Sequence, residues 1–200
     1  MSLERELRAQ FGPAVLEGTP SDYLTDFTRL PGHADAVVLP ESAEQVAAVL
    51  GWCYERDVPI VPRGGGTGAS AGAVPEGGVV LALDRLDRVR SFEPELWRIH
   101  VEAGVPTGRL KQLVRESGLM FAPDPGAPEQ SQIGGNIATN AGGPHAFKYG
   151  VVADWVTGLE AAIPPGELVS VGGAIRKDVA GWSPLPSTRS TAAQPAAASA

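Results

Sequence analysis

Seven of the fifteen residues from Gly64 to Gly78 are glycine, and they follow directly on the short apolar run VPIVPR at residues 58 to 63. Ordering so much bare backbone costs conformational entropy, roughly 1–2 kcal/mol per residue, so something in the fold must require it. Three requirements are open at this point: a nucleotide phosphate approached by backbone amides, a tight packing contact, or a flexible linker. A helix through this stretch is disfavoured, because glycine and Pro75 each cost about 1 to 3 kcal/mol in a helix interior.

The flanks are regular. Ser42 and Gln45 form a capping box, and Val46, Val49, Leu50 and Cys53 then mark one apolar helix face. Ala36 to Leu39 before it and Val58 to Val61 after it read as strands, so this is a βαβ unit with parallel strands. Val79 to Leu83 reads as a buried strand. Trp97, Ile99 and Val101 alternate with Arg98, His100 and Glu102 as in a half-exposed strand. Thr107 is expected to cap a helix carrying Leu110, Leu113 and Val114 that stops at Gly118. Apolar stretches at Trp155 to Ile163 and Leu168 to Val171, split by Pro164-Pro165-Gly166, suggest a hairpin. The fold class is therefore α+β.

Composition removes several function classes. With 16 basic and 23 acidic residues the chain carries a net charge of −7, which argues against a nucleic-acid partner. The single Cys53 excludes an internal disulfide and a cysteine-rich zinc site, and its place on an apolar helix face predicts a buried, inert thiol. His33, His100 and His145 lack metal-ligand spacing, so no metal is expected, and His100 and His145 read as solvent-exposed. No apolar run reaches the roughly 18 to 20 residues of a membrane span, and no signal peptide is apparent. A cytoplasmic location follows as the expectation.

Within the loop, Gly66-Thr67-Gly68-Ala69-Ser70-Ala71 fits G-x-G-x-x-A, with Asp84 near the distance the dinucleotide fingerprint asks for. That fingerprint works by starting a helix at the loop, and ASAGAVPEGG at residues 69 to 78 does not start one. A P-loop is excluded because no Lys-Ser/Thr follows the glycines. What remains is an anion-binding nest of backbone N–H groups, with the Thr67 and Ser70 hydroxyls as extra donors and Arg63 as a nearby charge.

Pro62-Arg63-Gly64-Gly65-Gly66-Thr67-Gly68, following the run from His33, resembles the FAD-binding domain of the PCMH-type flavoproteins, the vanillyl-alcohol oxidase superfamily. The resemblance is strongest to the group of FAD-linked oxidases that includes the glycolate oxidase D subunit and the D-lactate and D-2-hydroxyglutarate dehydrogenases. Pro123-Asp124, the run Ser131 to Gly143, and Tyr149-Gly150 resemble that group's second flavin-binding segment in order and spacing. Gly172-Gly173 to Lys177-Asp178-Val179-Ala180-Gly181 resembles its next landmark.

The resemblance implies a small βαβ subdomain beside a second, mixed or antiparallel one, and FAD as cofactor. By it, Pro62, Arg63, Gly64, Gly65, Gly66, Thr67 and Gly68 wrap the pyrophosphate. Pro123, Asp124, Ser131, Gly134, Gly135, Ala138, Thr139 and Asn140 line the flavin and its ribityl and phosphate chain. Asn136 and Asn140 also suit the caps of a short helix, and Gly142-Gly143 a turn. Some members attach FAD through a histidine in this loop; Thr67 stands there, so FAD is expected to bind non-covalently. Another oxidase subunit is a candidate partner.

The resemblance covers about residues 33 to 182, after a helical lead-in at residues 1 to 32. From Ser183 the composition changes: fifteen of the eighteen residues of SPLPSTRSTAAQPAAASA are Ala, Ser, Pro or Thr, which predicts a disordered tail. The change falls where the family continues into a further strand and a substrate domain. It reads as a shifted reading frame or aberrant gene model, with the FAD domain incomplete at its C-terminal end. The function implied is the FAD-binding portion of an enzyme oxidising a 2-hydroxy acid, with no residue nominated as catalytic. The alternatives are a non-catalytic fragment with weak or no FAD binding, and an NAD(P)-binding Rossmann module.

Overall fold

The computed structural model describes residues 2–173 and 197–199. Helix α1 (Leu3–Phe11) leads into strand β1 (Ala36–Val38), helix α2 (Ala43–Tyr54) and strand β2 (Ile60–Arg63). Half of the capping box forms: Ser42 Oγ accepts from Gln45 N at 3.2 Å, but Gln45 Oε1 accepts from Glu41 N at 2.8 Å, one residue before the N-cap, and not from Ser42 N. Strand β3 (Val79–Ala82) lies between β1 and β2 and is parallel to both, so the crossover unit spans a strand that comes later in the chain.

The central position explains why β3 is apolar at every residue. Val79 and Leu81 face Val46, Val49, Leu50 and Cys53 of α2 and Leu7 of α1, while Val80 and Ala82 lie on the other face beside Val37, with Leu39, Leu16 and Tyr23 in the same cluster. A strand covered on both faces needs no alternation. Cys53 lies buried in this core, as its spacing implies, and burial pushes its thiol pKa up to about 11.

Strands β4 (Val89–Glu93) and β5 (Arg98–Val101) form an antiparallel pair that packs on helix α3 (Thr107–Glu116) through Val101, Val105, Leu110 and Val114. Trp97 departs from the alternation expected of it. It adopts a left-handed conformation, φ 53°, before β5 begins, and it is exposed. Thr107 is likewise not a cap: Pro106 holds that position and Thr107 is the first helical residue. Gly118 does end the helix, at φ 74°, with its N–H donating to Arg115 O.

Short helices α4 (Ile133–Ala138) and α5 (Ala146–Tyr149) occupy the second glycine-rich region. Strands β6 (Gly158–Ile163) and β7 (Glu167–Gly172) then form the expected hairpin around Pro164 to Gly166. Its turn docks on α2, where Gly166 meets the Gly51 backbone and the Ala47 carbonyl. Strand β8 (Ala197–Ser199) pairs antiparallel with β6, so these three residues depart from the disordered tail expected there. The Lys177 to Gly181 landmark and the rest of the tail lie outside the described residues. The arrangement is α+β: a three-stranded parallel sheet, one antiparallel pair and a three-stranded antiparallel sheet among the described residues.

Candidate functional site

The loop after β2 and the segment around α4 meet at the carboxyl end of the parallel sheet, where open parallel sheets place ligands. Asp84, just past β3, belongs to the same edge. No helix begins at residue 69. Residues 69 to 75 run as bends and a turn, so the amides and dipole that a Rossmann site requires are missing at this loop.

The glycines of the first segment divide by task. A Cβ at Gly65 would overlap the Gln130 carbonyl oxygen, so Gly65 lets the two segments touch backbone to backbone. Gly66 has φ 65°, and a Cβ there would run into the Arg63 guanidinium. Gly64 lies beside the Gln132 side chain and the Gly135 backbone, whereas a Cβ at Gly68 or Gly72 would meet nothing within 4 Å. The packing requirement is thus met at Gly65, while Gly68 and Gly72 face open space.

Arg63 does not supply a free charge at the mouth of the loop. It is 8% exposed and is spent on structure: Nη1 donates to Thr25 O at 2.6 Å and Nη2 to Asp22 O at 2.5 Å. Its guanidinium also stands 5.8 Å over the Tyr23 ring. Burial pulls its pKa down, opposed by the carboxylates of Asp84 and Asp26. The Tyr23 phenol is pushed up by burial and by Asp84. Arg63 therefore ties the segment before β1 beneath the glycine loop. Pro62 lies within β2, and Thr67 follows the glycines half-buried.

In the second segment, Ser131 turns away from any cleft. It is 1% exposed, and its hydroxyl donates to Thr107 Oγ1 at 2.9 Å. Asn136 is a buried helical residue and not a cap; its Nδ2 donates to the same Thr107 oxygen at 2.6 Å. Gly134 is held against the backbone of Ala103. What α4 presents outward is Gly135, Ala138 and Thr139, spaced as one helix face, and a Cβ at Gly135 would meet nothing within 4 Å. The Thr139 hydroxyl donates back to Gly135 O at 2.9 Å, and Asn140 Oδ1 accepts from Ala153 N at 3.0 Å.

Pro123 is buried, and Asp124 is paired with Lys111 and, through Oδ2 at 2.9 Å, with His145 Nδ1. The Lys111 hydrogen bond holds the Asp124 carboxyl below its usual range. His145 is exposed as expected, and this contact was not legible in the sequence. A groove between β4 and α3, lined by Val89, Phe92, Arg109, Gln112, Leu113 and Glu116, contains none of the expected residues. Among the described residues no cluster of His, Cys, Asp or Glu suits a metal ion, and no helix is long and apolar enough to cross a membrane.

Sequence reasoning missed Gln132. Its carboxamide is buried at the junction of the two segments, with Nε2 donating to Asp84 Oδ1 at 3.1 Å and Oε1 without a partner. An orphaned buried polar atom beside a glycine loop, together with the open faces of Gly68 and Gly135, fits a bound polar group that supplies what the protein lacks. An FAD diphosphate with its attached sugars has the chemistry for that junction: anionic oxygens for the loop amides and hydroxyls for the orphaned acceptor.

Comparison with known proteins agrees with this geometry. The family model described as an FAD binding domain matches residues 34–172. Glycolate oxidase subunit GlcD of Bacillus subtilis is 40% identical over 149 residues, covering 74% of this chain and 32% of that protein. D-2-hydroxyglutarate dehydrogenase of Xanthomonas citri is 39% identical over 177 residues, covering 88% and 37%. The chain thus spans about a third of the length of the curated relatives it matches. Among solved structures, an alkyldihydroxyacetonephosphate synthase superposes with a TM-score of 0.77 at 21% identity, over 92% of this chain and 36% of the other. That likeness shows the fold.

Proposed function

The chain belongs to the FAD-binding domain family of PCMH-type flavoproteins, and from that premise we propose that it is the FAD-binding portion of an oxidoreductase acting on a 2-hydroxy acid of the glycolate or D-lactate kind. The observation that carries the reading is the junction of the two glycine segments at the carboxyl end of the sheet, with Gly68 and Gly135 open and the Gln132 oxygen unmet. The names of the relatives, a glycolate oxidase subunit and dehydrogenases of D-lactate and D-2-hydroxyglutarate, support the substrate class. The family unit proposed is residues 33 to 182.

Bound FAD would supply the hydride acceptor, at flavin N5. The chain's own residues bind and orient. The backbone from Gly64 to Gly68 faces the diphosphate, Arg63 and Gly65 hold that loop in shape, and Gly135, Ala138 and Thr139 form the wall from the second segment. Ser131 and Gly134 act from behind, as supports of α4. Thr67 offers no imidazole for a covalent bond, so the flavin is held non-covalently. The word subunit in the name of the glycolate oxidase relative supports a further oxidase chain as partner.

The test is titration of the full chain with FAD, followed by quenching of flavin fluorescence, beside Gly68→Val. Saturable binding weakened by the substitution supports the reading. Curves that coincide for the two proteins remove the loop from it. Acid precipitation that leaves the flavin in solution supports non-covalent attachment. A second reading, a non-catalytic chain with weak or no FAD binding, is favoured by Arg63, whose guanidinium is committed to the carbonyls of Asp22 and Thr25 and not left free for a diphosphate. A colourless purified protein that does not quench FAD supports it.

A further inference from the structure

Gln132 is 7% exposed, and its Oε1 is one of two buried side-chain atoms among the described residues that lack a hydrogen-bond partner. The other, Asp26 Oδ2, belongs to a carboxylate within electrostatic reach of the Arg63 guanidinium, which partly answers it. Nothing answers the Gln132 oxygen. It lies 3.4 Å from where a Cβ of Gly64 would stand, so it faces the bare backbone of the first glycine segment. An unmet buried acceptor is unfavourable, and native structures keep few of them without a use.

The orientation of the amide is set by Asp84. A carboxylate only accepts, so it draws the Gln132 nitrogen, at 3.1 Å, and leaves the oxygen toward the loop. The loop amides attract an anion, but an amide oxygen repels a phosphate oxygen. The ligand atom next to Oε1 must therefore be a donor. In a dinucleotide the donors nearest the diphosphate are the sugar hydroxyls on either side of it.

We propose that Gln132 is a ligand-binding residue whose Oε1 accepts a hydrogen bond from a sugar hydroxyl of the bound dinucleotide, on the ribityl or the ribose side of its diphosphate. This rests on the FAD reading above and assigns the unmet acceptor at the junction. Gln132→Met keeps the shape of the side chain and removes both polar atoms. The full chain and this variant are titrated with FAD, ADP and FMN, with the thermal midpoint of the unliganded protein as folding control.

The expected result is an FAD affinity about tenfold weaker in the variant, with the loss repeated for one fragment only. A loss with ADP assigns the hydroxyl to the ribose, and a loss with FMN assigns it to the ribityl chain. A merely structural role would weaken both fragments alike. An unchanged FAD affinity, or a loss shared equally by the fragments or shown by neither, overturns the proposal and leaves the FAD reading standing. Absence of FAD binding by the unsubstituted chain overturns both. Where Gln132→Met does not fold, Gln132→Asn, which withdraws the amide by one methylene, is held to the same outcomes.

Discussion

The backbone of Gly65 lies directly against the carbonyl oxygen of Gln130, close enough that a Cβ on Gly65 would overlap it. The two glycine-rich segments are separated by more than sixty residues of sequence, and this contact joins them before any ligand is considered. Gly65→Ala should therefore destabilise the unliganded protein by about 1–3 kcal/mol, as overpacking does. Gly68→Ala, which points into open space, should change stability by less than about 0.5 kcal/mol. Urea midpoints measured without FAD separate the two. A Gly65→Ala protein as stable as its parent would refute the packing role.

Thr107 Oγ1 accepts from both Ser131 Oγ and Asn136 Nδ2. Thr107→Val leaves both donors buried and unmet, at about 1–3 kcal/mol for each unsatisfied group before relaxation. Thr107→Ser retains the oxygen and should recover most of that loss. Denaturant unfolding of the two variants makes the comparison.

The Glu102 side chain is 2% exposed and accepts from Arg88 N at 2.8 Å, from Arg88 Nε at 3.1 Å and from Arg90 Nη2 at 2.5 Å. Burial alone would raise its pKa, and the arginine hydrogen bonds outweigh it, holding the carboxyl below its ordinary 4.5. A depressed folded-state pKa contributes stability that is complete above the unfolded value and is lost as pH falls through the folded one. The stability profile should therefore decline below about pH 4.5. Glu102→Gln should flatten that decline and cost about 1–2 kcal/mol at neutral pH, read from urea unfolding at several pH values.

Cys53, buried against β3 with its pKa raised to about 11, should resist thiol reagents at pH 8 in the folded protein. It should react promptly in denaturant, because the thiolate is the reactive form. Prompt labelling of native protein would contradict the packing of α2.

What could be read from sequence was local. Ser42 with Gln45, the unbroken apolar run at Val79, and Pro164 to Gly166 between two apolar stretches carry their meaning within a few residues, and each forms the element expected. Arg63, Thr107 and Gln132 do not, because their partners lie far away in the chain. Arg63 meets the carbonyls of Asp22 and Thr25, Thr107 meets Ser131 and Asn136, and Gln132 meets Asp84. Trp97 misled because alternation specifies a face but not where a strand begins. The glycine motif marked the candidate site and left open which glycines serve packing.

The strand order β1-β3-β2 also has a consequence in time. The two strands of the crossover unit share no ladder with each other, so the sheet closes only when Val79 to Ala82 have been added. At about 5–20 residues per second, the stretch from Arg63 to Val79 takes about one to three seconds to synthesise. During that interval the apolar face of α2 has no finished sheet to cover. The glycine loop is thus the segment that must turn the chain back before the sheet can close, returning it to the gap between β1 and β2 that Val79 enters.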